Sequence, residues 1–307
     1  MLLTEDHRAV QDAVRTYVQA EIAPHAAAWD KGHQFPKAQL RGLADLGCYG
    51  VAVPVEWDGA GLDYLALALI LEEIAAGDGA TSTVVSVNNC PVCSILMAFG
   101  NDDQKQRFLV PQAKGEKYAA FCLTEPGAGS DVAAMASTAR KVGDKYILNG
   151  EKMWISLATK AHHFLVVAKT DPSKGHEGMS AFIVTRDMPG VTTGDIHGKL
   201  GVRAGSTGWV AMQDVEVPAE NRLGEEGEGF KIAMSCLDNG RYTVASGATG
   251  LIRACLEESI KYAHERSTFG KPIAHHQLVK QKIAFMQQWY DTAWLLCTKA
   301  GWMKNMG

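Results

Sequence analysis

The stretch Tyr118-Ala119-Ala120-Phe121-Cys122-Leu123-Thr124-Glu125-Pro126-Gly127-Ala128-Gly129-Ser130-Asp131 decides how the chain is divided. It opens as a strand, Tyr118 to Thr124, and runs into a loop of small residues broken by Pro126, Gly127 and Gly129. Before it the apolar residues recur with a helical period. After it they recur at close to every second residue. A helical segment therefore hands over to a β-rich one at this point.

On the N-terminal side, residues 4 to about 118 read as helices. Thr4 caps the first, with Glu5 and Asp6 in its opening turn. Val10, Val14, Tyr17 and Val18 share a face ahead of a break near Pro24, and Leu40, Leu43, Ala44 and Leu46 run up to Gly47. A glycine-rich turn spans Trp57 to Gly61. Leu65 to Ile74 and Thr81 to Phe99 are strongly apolar helices, and Asp102 to Val110 starts another. On the C-terminal side the β texture holds to about 226. Gly143-Asp144 closes one hairpin, and Asn149-Gly150 reads as a second hairpin turn, of the type needing positive φ at both centres. Val210 to Val217 alternates and stops at Pro218.

Helices return from about 227. Phe230 to Glu265 is long, with apolar Leu237, Val244, Leu251 and Cys255. The next helix starts near His275 and carries Val279, Ile283, Met286, Tyr290, Ala293 and Cys297, a spacing that marks a narrow bundle seam. Two long helices cannot cover both faces, so the bundle needs more chain or another subunit. Trp302 and Met303 lie close to Gly307 with no cap signal, and the natural protein is expected to continue past that residue. The expectation is an α+β chain: an N-terminal α-helical domain (1–118), a middle β-domain of barrel or sandwich type (119–226) and the first two helices of an incomplete C-terminal bundle (227–307).

Length and composition are compatible with this. At roughly 150 residues per domain, 307 residues imply about two domains. Thirty Lys and Arg against 34 Asp and Glu give a net charge of −4, which argues against a nucleic-acid binder. The apolar run Leu65 to Leu71 is short for a membrane span and ends at Glu72 and Glu73. The start, Met1 to Arg8, has no basic-then-apolar leader pattern. Seven scattered cysteines with no such leader favour free thiols and a cytoplasmic location. Cys90-Pro91-Val92-Cys93 is a lone CxxC, read as two small buried residues on a helix.

Four segments carry chemistry. In Phe121 to Asp131 the glycines allow close backbone approach, and Thr124 and Ser130 offer hydroxyls. The lone GxG lacks a dinucleotide fingerprint, and a tight interdomain turn explains the spacing better. In Asn149 to Ser156, Trp154 and Ser156 share a strand face, which suits a flat heteroaromatic ring with polar edges; a Trp packed in the β-core is the commoner outcome. In Leu237 to Arg241, Asp238 and Arg241 can pair on the helix surface. In Arg266 to Gln277, Arg and hydroxyl donors at a turn suit a phosphate about as well as they suit solvent. Adjacent His275 and His276 cannot both ligate one metal from a helix face, so no metal is expected.

In order and wording these segments resemble the acyl-CoA dehydrogenase family, a flavoprotein family, over essentially the whole chain. CLTEPGAGSD (122–131) resembles the family's first signature, Asn149 to Ser156 its NGxKxWIT strand, Lys199 to Phe230 its KLG…DVxVPxENxLG…GxGF pattern, and Arg266 to Gly270 with His276-Gln277 its RxxFG…Q turn. Leu237 to Ser246 looks most like the short-chain branch. The resemblance implies FAD between the β-domain and the bundle. It assigns flavin contacts to Phe121, Leu123, Thr124, Gly129, Ser130, Trp154, Ile155 and Ser156, with Thr124 and Ser156 bonding the ring and Trp154 lying against it. Ser156 stands where the family more often has Thr, and the hydroxyl is kept. Arg266, Thr268, Phe269, His276 and Gln277 would reach FAD, partly that of a neighbouring subunit in a homotetramer. Ser130, Asp238 and Arg241 would meet the CoA portion.

The implied reaction is α,β-dehydrogenation of a short- or medium-chain acyl-CoA, in fatty acid or amino acid catabolism, with electrons passed to an electron-transfer flavoprotein. In most of the family the base is a Glu after the fourth bundle helix, a region expected beyond Gly307. In a minority it lies at the position matching Gly240, which has no carboxylate. No base is therefore named within residues 1–307, and Glu125 takes a structural role. The alternatives are a non-catalytic binding or scaffold relative and a flavin monooxygenase on the same scaffold.

Overall fold

The computed structural model describes residues 3–307. Met1 and Leu2, part of the run read as a helix start, lie outside them. The N-terminal layer comprises α1 (Glu5–Tyr17), α2 (Ala26–Gly32), α3 (Lys37–Asp45), α4 (Tyr64–Gly77), α5 (Gly79–Val87), α6 (Ser94–Phe99), α7 (Asp102–Gln104) and α8 (Val110–Ala113). Thr4 caps α1 as expected: it accepts from the His7 N–H, while the His7 ring takes the Thr4 N–H. Asp63 and Asp78 cap α4 and α5 through the amides of Ala66 and Thr81. Helix α4 is buried from Leu65 through Ala75, so its sequence is apolar all round rather than on one stripe.

Cys90 and Cys93 are buried, but in a π-helical kink rather than on a regular helix; Cys90 leaves helical conformation at φ −138°, ψ 110°. The run Gly79–Phe99 is long and apolar enough to cross a bilayer by length and composition, and two-thirds of it is buried inside the fold.

The β-domain is one sheet of β1 (Ala119–Cys122), β2 (Thr138–Val142), β3 (Lys145–Ser156), β4 (His163–Lys169), β5 (Met179–Thr185), β6 (Val191–Asp195), β7 (Thr207–Pro218) and β8 (Arg222–Leu223). The order is β6-β7-β3-β2-β4-β5-β8, with β1 parallel to β4. Gly143, at φ 61°, turns the β2–β3 hairpin as expected. Asn149-Gly150 does not turn the chain. Both residues continue inside β3, where Asn149 lies opposite Thr138 and its side chain bonds Asp214. The positive φ of Gly150 serves a bulge at the register shift between Leu148 and Gly150.

The C-terminal part is α9 (Gly229–Glu265), the short pair β9 (Ser267–Thr268) and β10 (Lys271–Pro272), and α10 (Gln277–Met306). The α10 seam faces inward: the Tyr290 hydroxyl donates to Glu72 at 2.8 Å, and Cys297 meets Thr249. Of the face expected on α9, Leu237 packs against the core but the rest is not the buried face. Val244 is 64% exposed, and Leu251 and Cys255 are exposed too, while Ala233, Cys236, Thr243, Ser246, Gly247, Thr249 and Gly250 are buried. The reason is steric. A Cβ on Gly250 would run into the Glu72 carbonyl, so α4 approaches α9 only over small residues.

A buried ionic cluster locks these helices. Glu72 and Glu73 on α4 are 3% and 1% exposed. Arg253 of α9 reaches Glu72 at 3.1 Å and Glu73 at 2.6 and 2.7 Å, and Arg15 of α1 adds bonds to Glu73 at 2.8 and 3.1 Å. Burial pulls the Glu73 carboxyl upward, but its two arginines outweigh that and hold it below the ordinary range. Arg253→Met leaves two buried carboxylates without their shared cation, and urea unfolding should show a loss of roughly 3–5 kcal/mol.

His163 on β4 is fully buried, and desolvation drives its pKa from 6.5 to about 3. The unfolded chain therefore binds the extra proton first, so this residue leaves stability untouched above pH 6.5 and lowers it as pH falls toward 3. His163→Met should flatten that limb in urea midpoints measured across the same window.

Candidate functional site

The first two chemistry-bearing segments meet. After β1 the chain passes Leu123 and Thr124, then reverses in a tight turn where Glu125 and Ala128 exchange backbone bonds at 2.9 and 3.2 Å. The Met153 N–H of β3 donates to the Thr124 carbonyl at 2.8 Å, fastening this loop to the strand. Beneath it, Lys152 and Glu125 form a buried ion pair at 2.7 Å, with side chains 0% and 5% exposed. Lys152 also donates to the Leu123 carbonyl at 3.1 Å, and the Glu125 carboxylate accepts the amides of Ala136 and Ser137.

Strand β3 is irregular where it meets the loop. Its register against β7 shifts between Lys152 and Ile155, and Trp154 sits at φ 62° with Leu157 at 65°. A bulky residue in the left-handed region stores on the order of 1–3 kcal/mol of strain, which points to a use for the ring. The bulge turns Trp154 outward, 61% exposed, while Ile155 is buried and Ser156 half-buried. The Trp is thus not packed in the β-core.

Around it the groups suit a flat heteroaromatic ring. The hydroxyls of Thr124 and Ser156 hold no hydrogen bond among the described residues, Ser130 is exposed, and a Cβ on Gly129 would meet nothing within 4 Å. Phe121 is half-buried beside them. Leu123 and Ile155 are buried and offer backbone and support rather than side-chain surface. These features fit FAD: an exposed aromatic plane, two free hydroxyls and an open glycine backbone converge at one strand end.

The other two segments make no hydrogen bond to this pair among the described residues. Asp238 and Arg241 bond each other at 2.6 Å on the exposed face of α9, and Gly240 lies between them. Clefts of about 350 and 140 Å³ flank this part of α9, one against the Cys90–Cys93 kink and one against α5. In the fourth segment, Phe269 (φ 52°) and Gly270 (φ 74°) form the tip of the β9–β10 hairpin. The Phe269 ring is 95% exposed, Thr268 bonds His276 Nε2 at 3.0 Å, and Arg266 and Gln277 are exposed.

Two features escaped the sequence reading: the buried Lys152, and the left-handed Trp154. A Lys placed between apolar-facing strand positions was the available signal for the first. Trp154→Gly is expected to leave the unfolding free energy within about 1 kcal/mol of the parent, because released backbone strain offsets lost packing. It should weaken FAD binding about tenfold in a flavin-fluorescence titration, through loss of the stacking plane.

Comparison with known proteins agrees with this geometry. Residues 4–116 match the model for the acyl-CoA dehydrogenase N-terminal domain, residues 120–215 that for the middle domain, and residues 227–307 that for the C-terminal domain. The mitochondrial short-chain specific acyl-CoA dehydrogenase of Rattus norvegicus is 42% identical over 303 residues, spanning 99% of this chain and 74% of that protein. A chain in the structure of the electron transferring flavoprotein of Acidaminococcus fermentans superposes with a TM-score of 0.97 at 39% identity, over 100% of this chain and 81% of that one. Butyryl-CoA dehydrogenase from Megasphaera elsdenii gives 0.95 at 36% identity, over 98% of this chain and 80% of that one. With three family models in register along its length, this chain belongs to the acyl-CoA dehydrogenase family of FAD-dependent oxidoreductases.

Proposed function

We propose that the enzyme removes the α- and β-hydrogens of a short- or medium-chain acyl-CoA thioester to give the enoyl-CoA, and that an electron-transfer flavoprotein takes the electrons. The observation that carries this reading is the outward, left-handed Trp154 held beside the free hydroxyls of Thr124 and Ser156. The short-chain relative and butyryl-CoA dehydrogenase support the substrate class, and the similar chain from the electron transferring flavoprotein structure supports the acceptor.

Bound FAD supplies the hydride acceptor for the β-carbon. In this reading Trp154 gives one face of its pocket, Thr124 and Ser156 hydrogen-bond its edge, and Phe121 and the 123–130 backbone close the loop side. Ser130, Asp238 and Arg241 orient the CoA portion, and Ser235 and Asn239, close to Asp238 in sequence, line one of the clefts along α9. Arg266, Thr268, His276 and Gln277 offer polar groups, and Phe269 an exposed ring, to FAD, in part that of a neighbouring subunit. A homotetramer is supported by the apolar side chains left exposed on α9 and α10, among them Val244, Leu251, Trp289 and Leu296. A cytoplasmic location is supported by the free thiols of all seven cysteines.

Removing a weakly acidic α-proton calls for a carboxylate whose pKa is raised. Glu125 does not qualify: burial pushes it up, but Lys152 and two backbone amides hold it below the ordinary range. Glu72 is raised by burial, but Arg253 and Tyr290 occupy it inside the helical layer. Residues 3–307 are therefore assigned binding and orienting roles, and none is assigned the base.

Anaerobic addition of butyryl-CoA or octanoyl-CoA to the FAD-loaded protein produced from its natural gene should bleach the visible flavin band; absence of bleaching with every acyl-CoA overturns the reading. Arg241→Ala should raise KM for the active thioester about tenfold with little change in kcat, since its contact is made equally in ground and transition states.

A further inference from the structure

We propose that Lys152 and Glu125 act together as positioning residues, fixing the Thr124 hydroxyl and the Trp154 ring in one rigid frame for the flavin. This rests on the FAD-dependent reading above and concerns residues that contact no ligand themselves.

The argument starts from what the pair holds. Thr124 and Trp154 are 30 positions apart in sequence (154 − 124 = 30), one in the loop after β1 and the other in β3. Three bonds, one of them between backbones, connect the two segments. Lys152 Nζ reaches the carbonyl of Leu123, the residue before Thr124, at 3.1 Å. The Met153 N–H reaches the carbonyl of Thr124 itself at 2.8 Å. Lys152 Nζ then bonds Glu125, the residue after Thr124, at 2.7 Å. The peptide units on either side of Thr124 are thus tied to residues 152 and 153, directly before the strained Trp154.

The frame has a second anchor. Glu125 Oε2 accepts the Ala136 amide at 2.6 Å and Oε1 the Ser137 amide at 3.1 Å, joining the far end of the glycine loop to the same carboxylate. The loop from Pro126 to Met135 is therefore closed at its base by one buried side chain. Gly150 adds a steric limit, because a Cβ there would strike the Ser137 side chain. An ion pair this dry contributes little net stability compared with apolar residues of the same volume. Its several directed bonds do fix geometry, and they converge on the two residues that face the candidate ring.

The test compares the parent with the double variant Glu125→Gln/Lys152→Met, which removes both charges so that neither is left buried alone. Hydrogen exchange on the purified full chain reads the frame without reference to flavin. The amides of Ala136, Ser137 and Met153 should exchange about a hundredfold faster, while β4 and β5 keep parent rates. In flavin titrations the variant should bind FAD about tenfold more weakly and shift the visible spectrum of the bound flavin. Unchanged exchange at the three amides overturns the proposal. So does faster exchange with parent-like FAD affinity and spectrum, and so does a variant that circular dichroism shows to be unfolded, which would assign the pair to the fold. A parent that takes up no FAD would instead overturn the functional reading, while the exchange data still decide whether the pair builds the frame.

Discussion

Helices α1, α4, α9 and α10 are held together around two adjacent buried carboxylates. Glu72 and Glu73 sit inside a helix that is otherwise apolar from Leu65 to Ala75, and a charge there is untenable without a partner. Arg253 answers both, Arg15 answers one, and Tyr290 completes Glu72. Each partner comes from a different helix, so satisfying two carboxylates fixes the mutual placement of α1, α4, α9 and α10. The small-residue face of α9 follows from the same constraint, since Arg253 can reach both acids only if α9 lies close against α4.

The β-domain repeats this logic at the site. One buried lysine and one buried glutamate lie under a loop whose outer surface is open. The interior is over-determined and the exterior is left unsatisfied: free hydroxyls, bare glycine backbone, an outward indole. That asymmetry is how a scaffold holds a planar cofactor, with strain on the exposed side supported by directed bonds beneath.

Much of this was legible in the sequence, because period is a local property. The switch from helical to alternating spacing near Tyr118, the Thr4 cap, the Gly143 hairpin and the inward seam of α10 each depend on neighbours within a turn or two. The misreadings share a cause. The middle of α9's buried face, Thr243 to Gly250, is made of Gly, Ser and Thr, which hydropathy does not distinguish from surface, while Val244 and Leu251 stand exposed. Asn149-Gly150 has the composition of a hairpin turn, but cross-strand pairing with Thr138 and Asp214 carried the strand through it. Within the site, the loop and the Trp strand announced themselves as motifs. Their junction did not, because Lys152 and Glu125 are 27 residues apart and no local pattern marks a partner at that distance.

The bare contact between Gly250 and the Glu72 carbonyl also bears on how the molecule can move. Packed helices normally slide by small amounts because side chains between them repack as they shift. Here the Ala75 methyl group is the one side chain close to Gly250 beside the Glu72 carbonyl, so there is almost nothing to repack. An axial slide would bring the next residues on this face, Ser246 or Ala254, toward the carbonyl and would pull Arg253 away from Glu72 and Glu73. Helices α4 and α9 must then travel as one rigid body, and any opening of the clefts along α9 has to come from the elements around them.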